Sequence, residues 1–168
     1  MKIKNSSGSE VSENLQALKF SADFSLSDDG QGTTTVEKTH EDTVEVVTAT
    51  NVITASESGK TFFLDAVAGF ESTLPTAAEG LRFKFIVKTA PTSNGYTITG
   101  TPADVIHGTV ACSGAEATIN GVTAVASDNV ILVANQATIG DAVEFISDGT
   151  NWYVTGNVNT YAAVTANG

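Results

Sequence analysis

From Asn51 to Gly156 the sequence is a succession of short β-branched and aromatic runs, each closed by glycine, asparagine, aspartate or serine. Turn signals at this spacing are the mark of a β-sandwich or barrel. The runs that read as strands are 52–55, 61–66, 82–89, 96–100, 105–110, 117–119, 122–126, 129–134, 142–147 and 152–156. Helical periodicity has almost no foothold, and the weak apolar spacing of Glu10 to Leu18 is its one plausible patch. With no helical segments between the strands, a parallel βαβ sheet is disfavoured. The expected fold is therefore all-β: an antiparallel β-sandwich or jelly-roll-like barrel with an extended N-terminal arm. No fixed-period repeat, collagen-like stalk or heptad suggests a fibrous shaft.

Two turns are specific. Asn120-Gly121 lies between two β-branched runs and suits a type I′ hairpin, and Asp148-Gly149-Thr150-Asn151 joins Val143–Ile146 to Trp152–Val154 as a longer hairpin loop. In that last hairpin Val143, Phe145, Trp152 and Val154 are the core candidates, with Glu144 and Tyr153 facing outward or into an interface. Residues 1–50 have a different texture. Leu18, Phe20, Ala22, Phe24 and Leu26 alternate with polar residues at a two-residue period, the break at Ser27–Gly32 is turn-forming, and Thr33 to Thr50 is a second, acidic extended stretch. The expected organisation is an arm over 1–50, a β-sandwich domain over 51–158, and a small, polar, mobile tail over 159–168.

Charge narrows the partners. The formal net charge is -11, and no lysine or arginine follows Lys88. Nucleic acid and anionic membrane are thus poor partners, and any cationic contact must come from the first half. Only 16% of residues are charged, against roughly 25% in an average protein. The segment Met1–Ser7 lacks the apolar core of a signal peptide, and no run approaches membrane-spanning length, so a soluble protein is expected.

A search for assembled chemistry returns little. Ser58-Gly59-Lys60-Thr61 has the end of a phosphate loop, but Thr54 stands where the first glycine is needed, so it reads as a polar turn entering a strand. His40 and His107 are far apart and have no ligand-spaced neighbours, and His107 reads as a strand-end residue bonded to backbone. Cys112 is the single cysteine and, without a neighbouring cation, reads as a buried inert thiol. The carboxylates read as solvated turn and edge charges, and Asp28–Gly32 lacks the alternating ligands of a calcium loop. The expectation is a non-enzymatic protein with no cofactor and no metal.

The segments Gly59–Leu64, Gly69–Pro75 and Gly80–Val87, with Gly140–Val143 and Asp148–Gly156, resemble the β-modules of tailed-phage virion proteins. The resemblance covers roughly residues 51 to 156. It implies a capsid decoration, or cement, protein: a homotrimer made in the host cytoplasm and carried on the outer capsid surface, with the major capsid protein as partner. A receptor- or glycan-binding module of a tail or head fibre is the alternative. Within the decoration reading, the arm strand is expected to add to a sheet edge in a sister subunit or in the shell, or else to complete its own domain. Leu18, Phe20, Phe24 and Leu26 would make the apolar contacts, and Lys2, Lys4 and Lys19 would meet an acidic shell surface.

Overall fold

The computed structural model describes residues 3–4, 10–12, 24–28, 34–38, 43–113 and 129–167, and the chain divides into two units, Met1–Asp42 and Thr43–Gly168. In the first unit β1 (Ile3–Lys4) pairs with β2 (Glu10–Ser12), and β3 (Phe24–Asp28) pairs antiparallel with β4 (Thr34–Lys38). Ser27 and Asp28 of the expected break at Ser27–Gly32 are the last residues of β3, opposite Thr35 and Thr34, and the rest of it lies outside the described residues. The Asn120-Gly121 turn and the runs at 117–119 and 122–126 lie outside the described residues.

The second unit carries β5 (Val44–Val47), β6 (Asn51–Val52), β7 (Thr61–Leu64), β8 (Phe70–Thr73), β9 (Arg82–Val87), β10 (Tyr96–Thr99), β11 (Ile106–Cys112), β12 (Asn129–Leu132), β13 (Ala142–Ser147), β14 (Trp152–Val158) and β15 (Val164–Asn167). They form a six-stranded sheet in the order β11-β14-β13-β9-β7-β5 and a five-stranded sheet in the order β15-β12-β10-β8-β6. The two sheets pack as an all-β sandwich.

Both sheets are mixed rather than purely antiparallel. From β5 to β13 each strand lies in the sheet opposite to the one before it. A chain that crosses to the other sheet and returns re-enters beside its earlier strand in the same direction. β5, β7 and β9 are therefore parallel neighbours, as are β6, β8 and β10. The crossover that a helix supplies in a βαβ unit is supplied here by a strand of the facing sheet. After β10 the neighbours become antiparallel, except that β11 lies parallel to β14.

Inward-facing aromatic and branched residues fill the space between the sheets. Phe62 stacks on Phe85 at 5.3 Å, Phe85 meets Phe145 edge-on at 5.7 Å, and Phe83 lies 5.7 Å from Trp152. Val143, Phe145, Trp152 and Val154 are all buried, as the alternation of the last hairpin predicts. On the other sheet Phe70 meets Tyr96 edge-on at 5.0 Å. Aromatic pairs in such offset and edge-on arrangements contribute about 0.5–1.5 kcal/mol beyond their buried area.

Three expectations about element limits change. Val44–Val47, placed in the arm, pairs with Thr61–Leu64 and belongs to the sandwich. Phe70–Thr73 is a strand that the alternation hides, because Ser72 occupies an inward position and bonds Asn51 Oδ1 through its hydroxyl at 2.7 Å. The expected tail is a structural strand: Val164–Asn167 pairs along the whole of β12, and Ala163 and Val164 are buried.

Candidate interaction surface

The pleat of the six-stranded sheet sends one set of side chains outward in three rows that cross the strands. One row runs Arg82, Ile146, Tyr153, His107. The next runs Val44, Thr61, Lys84, Glu144, Thr155, Thr109. The third runs Val46, Phe63, Ile86, Ala142, Asn157, Ala111. Four consecutive positions of the third row are apolar. Val44 and Val46, on the strand that ends this sheet among the described residues, are 51% and 49% exposed, and Ile146 and Tyr153 are exposed as well.

The outer face of the five-stranded sheet is different. Its rows are Val52, Thr73, Thr99, Asn129, Asn167 and Glu71, Thr97, Ile131, Thr165. Threonine and asparagine dominate it, and Glu71 is its only charge among these positions. On this face Val52, at the β6 edge, is 72% exposed and Asn129 Oδ1 is buried without a partner among the described residues, while its threonine hydroxyls suit solvent; on the six-stranded face the contiguous row Val46, Phe63, Ile86, Ala142 gains from being covered.

Charge follows the same asymmetry. The second unit has four cations, Lys60, Arg82, Lys84 and Lys88, all on or beside β7 and β9. Lys60 lies 2.9 Å from Glu45 and 3.1 Å from Glu57, which together hold its ammonium above the usual lysine range. Lys88 lies 2.7 Å from Asp65, and its hydrogen bond, with one from Thr89, keeps that carboxyl below the ordinary range. Arg82 and Lys84 have no carboxylate within ion-pair distance among the described residues. Glu144 stands opposite Lys84 in the β9–β13 register and tempers its charge, while Arg82 stands opposite Ile146. Over the three rows the formal charges are those of Arg82, Lys84 and Glu144, and the Asp148 carboxylate that holds Tyr153 at the end of the first row offsets the remaining positive charge, so the face is close to neutral on a chain of net charge -11.

At the end of the first row, Asp148 closes the β13–β14 turn. Its carboxylate accepts the Asn151 and Thr150 N–H groups at 2.8 Å each and the Tyr153 hydroxyl at 3.0 Å, which holds its pKa below the ordinary aspartate value. The same bond to Asp148 raises the Tyr153 hydroxyl. His107 packs its ring 5.7 Å from that of Tyr153 and makes no backbone bond through its side chain among the described residues, contrary to the sequence expectation. Cys112 is half-buried rather than fully enclosed, with Sγ 3.7 Å from the Asn159 carbonyl.

The arm residues singled out from the sequence fall in three groups. Lys2, Leu18, Lys19 and Phe20 lie outside the described residues. Lys4 lies on β1 opposite Glu10. Phe24 and Leu26 lie on β3 opposite Lys38 and Val36, so one backbone edge of that strand is already engaged within the chain. Any strand addition to a partner would use the other edge.

An open depression of about 740 Å³ lies at one end of the sandwich, lined by Ala90, Ser113, Thr138, Ile139, Asp141 and Asn157 among others. Its carboxylate is committed to structure, since Asp141 accepts the N–H groups of Thr138 and Asn159 at 2.8 Å each. Among the described residues no three His, Cys, Asp or Glu side chains converge as a metal would require, and no helix is long and apolar enough to cross a membrane. The chain matches no family model, no curated protein and no solved structure.

Proposed function

We propose that this protein is a virion structural component, a capsid decoration or cement protein that seats on the major capsid protein at the outer capsid surface and stabilises capsomer junctions. The observation that carries this reading is the one-sidedness of the sandwich. One outer face carries a contiguous apolar row and two cations without an ion-pair partner among the described residues, and the other is mostly threonine and asparagine, with Val52 exposed at its edge. A molecule built this way suits a boundary, with one side against a protein surface and the other in water.

A ligand that binds only the assembled shell stabilises it by mass action, by about 2.7 kcal/mol per site at a hundredfold excess over its dissociation constant. Many sites on one particle multiply the effect. We propose further that the chain acts as a homotrimer. The test is to heat shells prepared without the protein, alone and with increasing amounts of it. Saturable binding and a raised disruption temperature are expected, together with a solution mass three times the 17.3 kDa of the chain. Shells that neither bind the protein nor gain heat resistance would end the decoration reading.

A further inference from the structure

We infer that the protein docks through the outer face of its six-stranded sheet, with Arg82 and Lys84 meeting carboxylates on an acidic, partly apolar surface of the shell. This rests on the decoration reading for the identity of the partner and adds the face and the chemistry of the contact.

Charge complementarity selects the occupant. Lys60 and Lys88 are spent on carboxylates of their own unit, whereas Lys84 projects from β9 near the middle of the face and Arg82 projects from the same strand at the corner of the first row. Ile86 and Ile146 flank them, and Val44, Val46 and Phe63 extend the apolar ground toward the β5 edge. Covering these residues with an apolar surface would leave Arg82 desolvated without a counter-charge, and Lys84 with only Glu144 across the register, unless the partner brings carboxylates to them. A polyanion such as nucleic acid carries a continuous phosphate charge that two cations on a chain of net charge -11 cannot match, whereas a shell surface needs to place only a few carboxylates against those two cations.

Size sets the expected strength. The outward positions, one row of four and two of six, at about 4.8 Å across the strands and about 6.8 Å along them, make a patch on the order of 520 Å². A standard interface covers about 800 Å² per partner, so this face alone gives a modest, reversible contact. Tight seating then requires several copies acting together, or the arm as a second point of attachment.

The experiment titrates protein onto shells prepared without it, comparing wild type with Arg82→Glu/Lys84→Glu, with Arg82→Glu alone, and with Thr97→Glu/Thr99→Glu on the opposite outer face. The single variant stands opposite Ile146 and creates no like-charge neighbour across the register, so it guards against a loss of folding in the double variant. Wild-type binding that weakens with added salt is expected, with at least a tenfold loss in the double variant, a smaller loss in Arg82→Glu, and a change within about twofold for the threonine variant. Folded Arg82→Glu and double variants that bind as well as wild type would overturn the inference and leave the decoration reading standing. Wild type that binds no shell would remove the decoration reading itself, and this inference with it. Oligomers of the free chain that Arg82→Glu dissolves would give the face to a second copy and overturn the shell as its occupant.

Discussion

The Tyr96 hydroxyl, carried by the five-stranded sheet, accepts a hydrogen bond from the Ala66 N–H at 2.8 Å, just beyond the end of β7 in the six-stranded sheet. Its own proton has the carbonyls of Thr89, Ala66 and Leu64 at 2.7, 2.8 and 3.2 Å to choose from. One phenol thus fastens the two sheets where the chain leaves β7 and β9, and its burial raises its pKa above that of an ordinary tyrosine.

Tyr96→Phe keeps the ring against Phe70 and removes only this fastening. The Ala66 N–H then loses its acceptor, which costs about 1–3 kcal/mol. Denaturant unfolding is expected to show a lower midpoint with an unchanged slope, because the area exposed on unfolding hardly changes. A midpoint equal to wild type would show that the hydroxyl carries no stability.

Gly108→Ala addresses the parallel β11–β14 pair. The glycine has φ +141° and a side-chain methyl there would collide with the Val154 carbonyl, so strain and overlap act together. A loss of more than about 2 kcal/mol is expected, larger than a typical surface substitution. Thermal unfolding of the variant checks it, and a melting temperature unchanged from wild type would contradict the β11–β14 geometry.

The C-terminal strand gives a third prediction. Ending the chain at Thr160 removes β15, uncovers the whole of β12 and takes away the buried Ala163 and Val164. Lower stability and concentration-dependent aggregation through the exposed β12 edge are expected. A mobile tail would allow the same truncation without effect, and light scattering with thermal unfolding distinguishes the two.

Acid sensitivity follows from Asp148 and Asp65. Both carboxyls are held below their ordinary value, Asp148 mainly by the Asn151 and Thr150 N–H groups and Asp65 mainly by Lys88. A depressed carboxyl contributes stability that is complete above its unfolded pKa and disappears as pH falls through the folded value. Stability is therefore expected to be flat near neutrality on account of these groups and to decline below about pH 4. In Asp148→Asn the decline should be shallower, as seen in unfolding midpoints measured across that range; an identical slope would exclude Asp148 as a contributor.

Much of the fold was legible in residues and some was not, for identifiable reasons. The β13–β14 hairpin announces itself because Val143, Phe145, Trp152 and Val154 alternate with polar residues on both sides of an Asp-Gly-Thr-Asn turn. β8 escapes because Ser72 sits at an inward position where the pattern calls for an apolar residue, and β15 because Val164–Asn167 is small and polar. The parallel pairing is invisible to periodicity, since a strand reads the same whichever neighbour it takes. It follows from the alternation of the chain between sheets, which is a long-range property. The interaction face was legible only in part. The sequence confines free cations to positions up to Lys88, but pairing with Glu45, Glu57 and Asp65 is what separates Lys60 and Lys88 from Arg82 and Lys84. The arm residues attracted attention through a clear two-residue period, whereas the outer rows are assembled from five or six separate segments.

The central claim is that this sandwich works one side down on a protein shell. The most direct measurement is imaging of intact particles assembled with and without the chain, at a resolution that separates the two sheets. Density on the outer shell surface, present only with the protein and with β9 and its five companion strands facing the shell, is the expected result. Particles identical in the two preparations, or density seated by its Thr97 and Thr165 side, would contradict it.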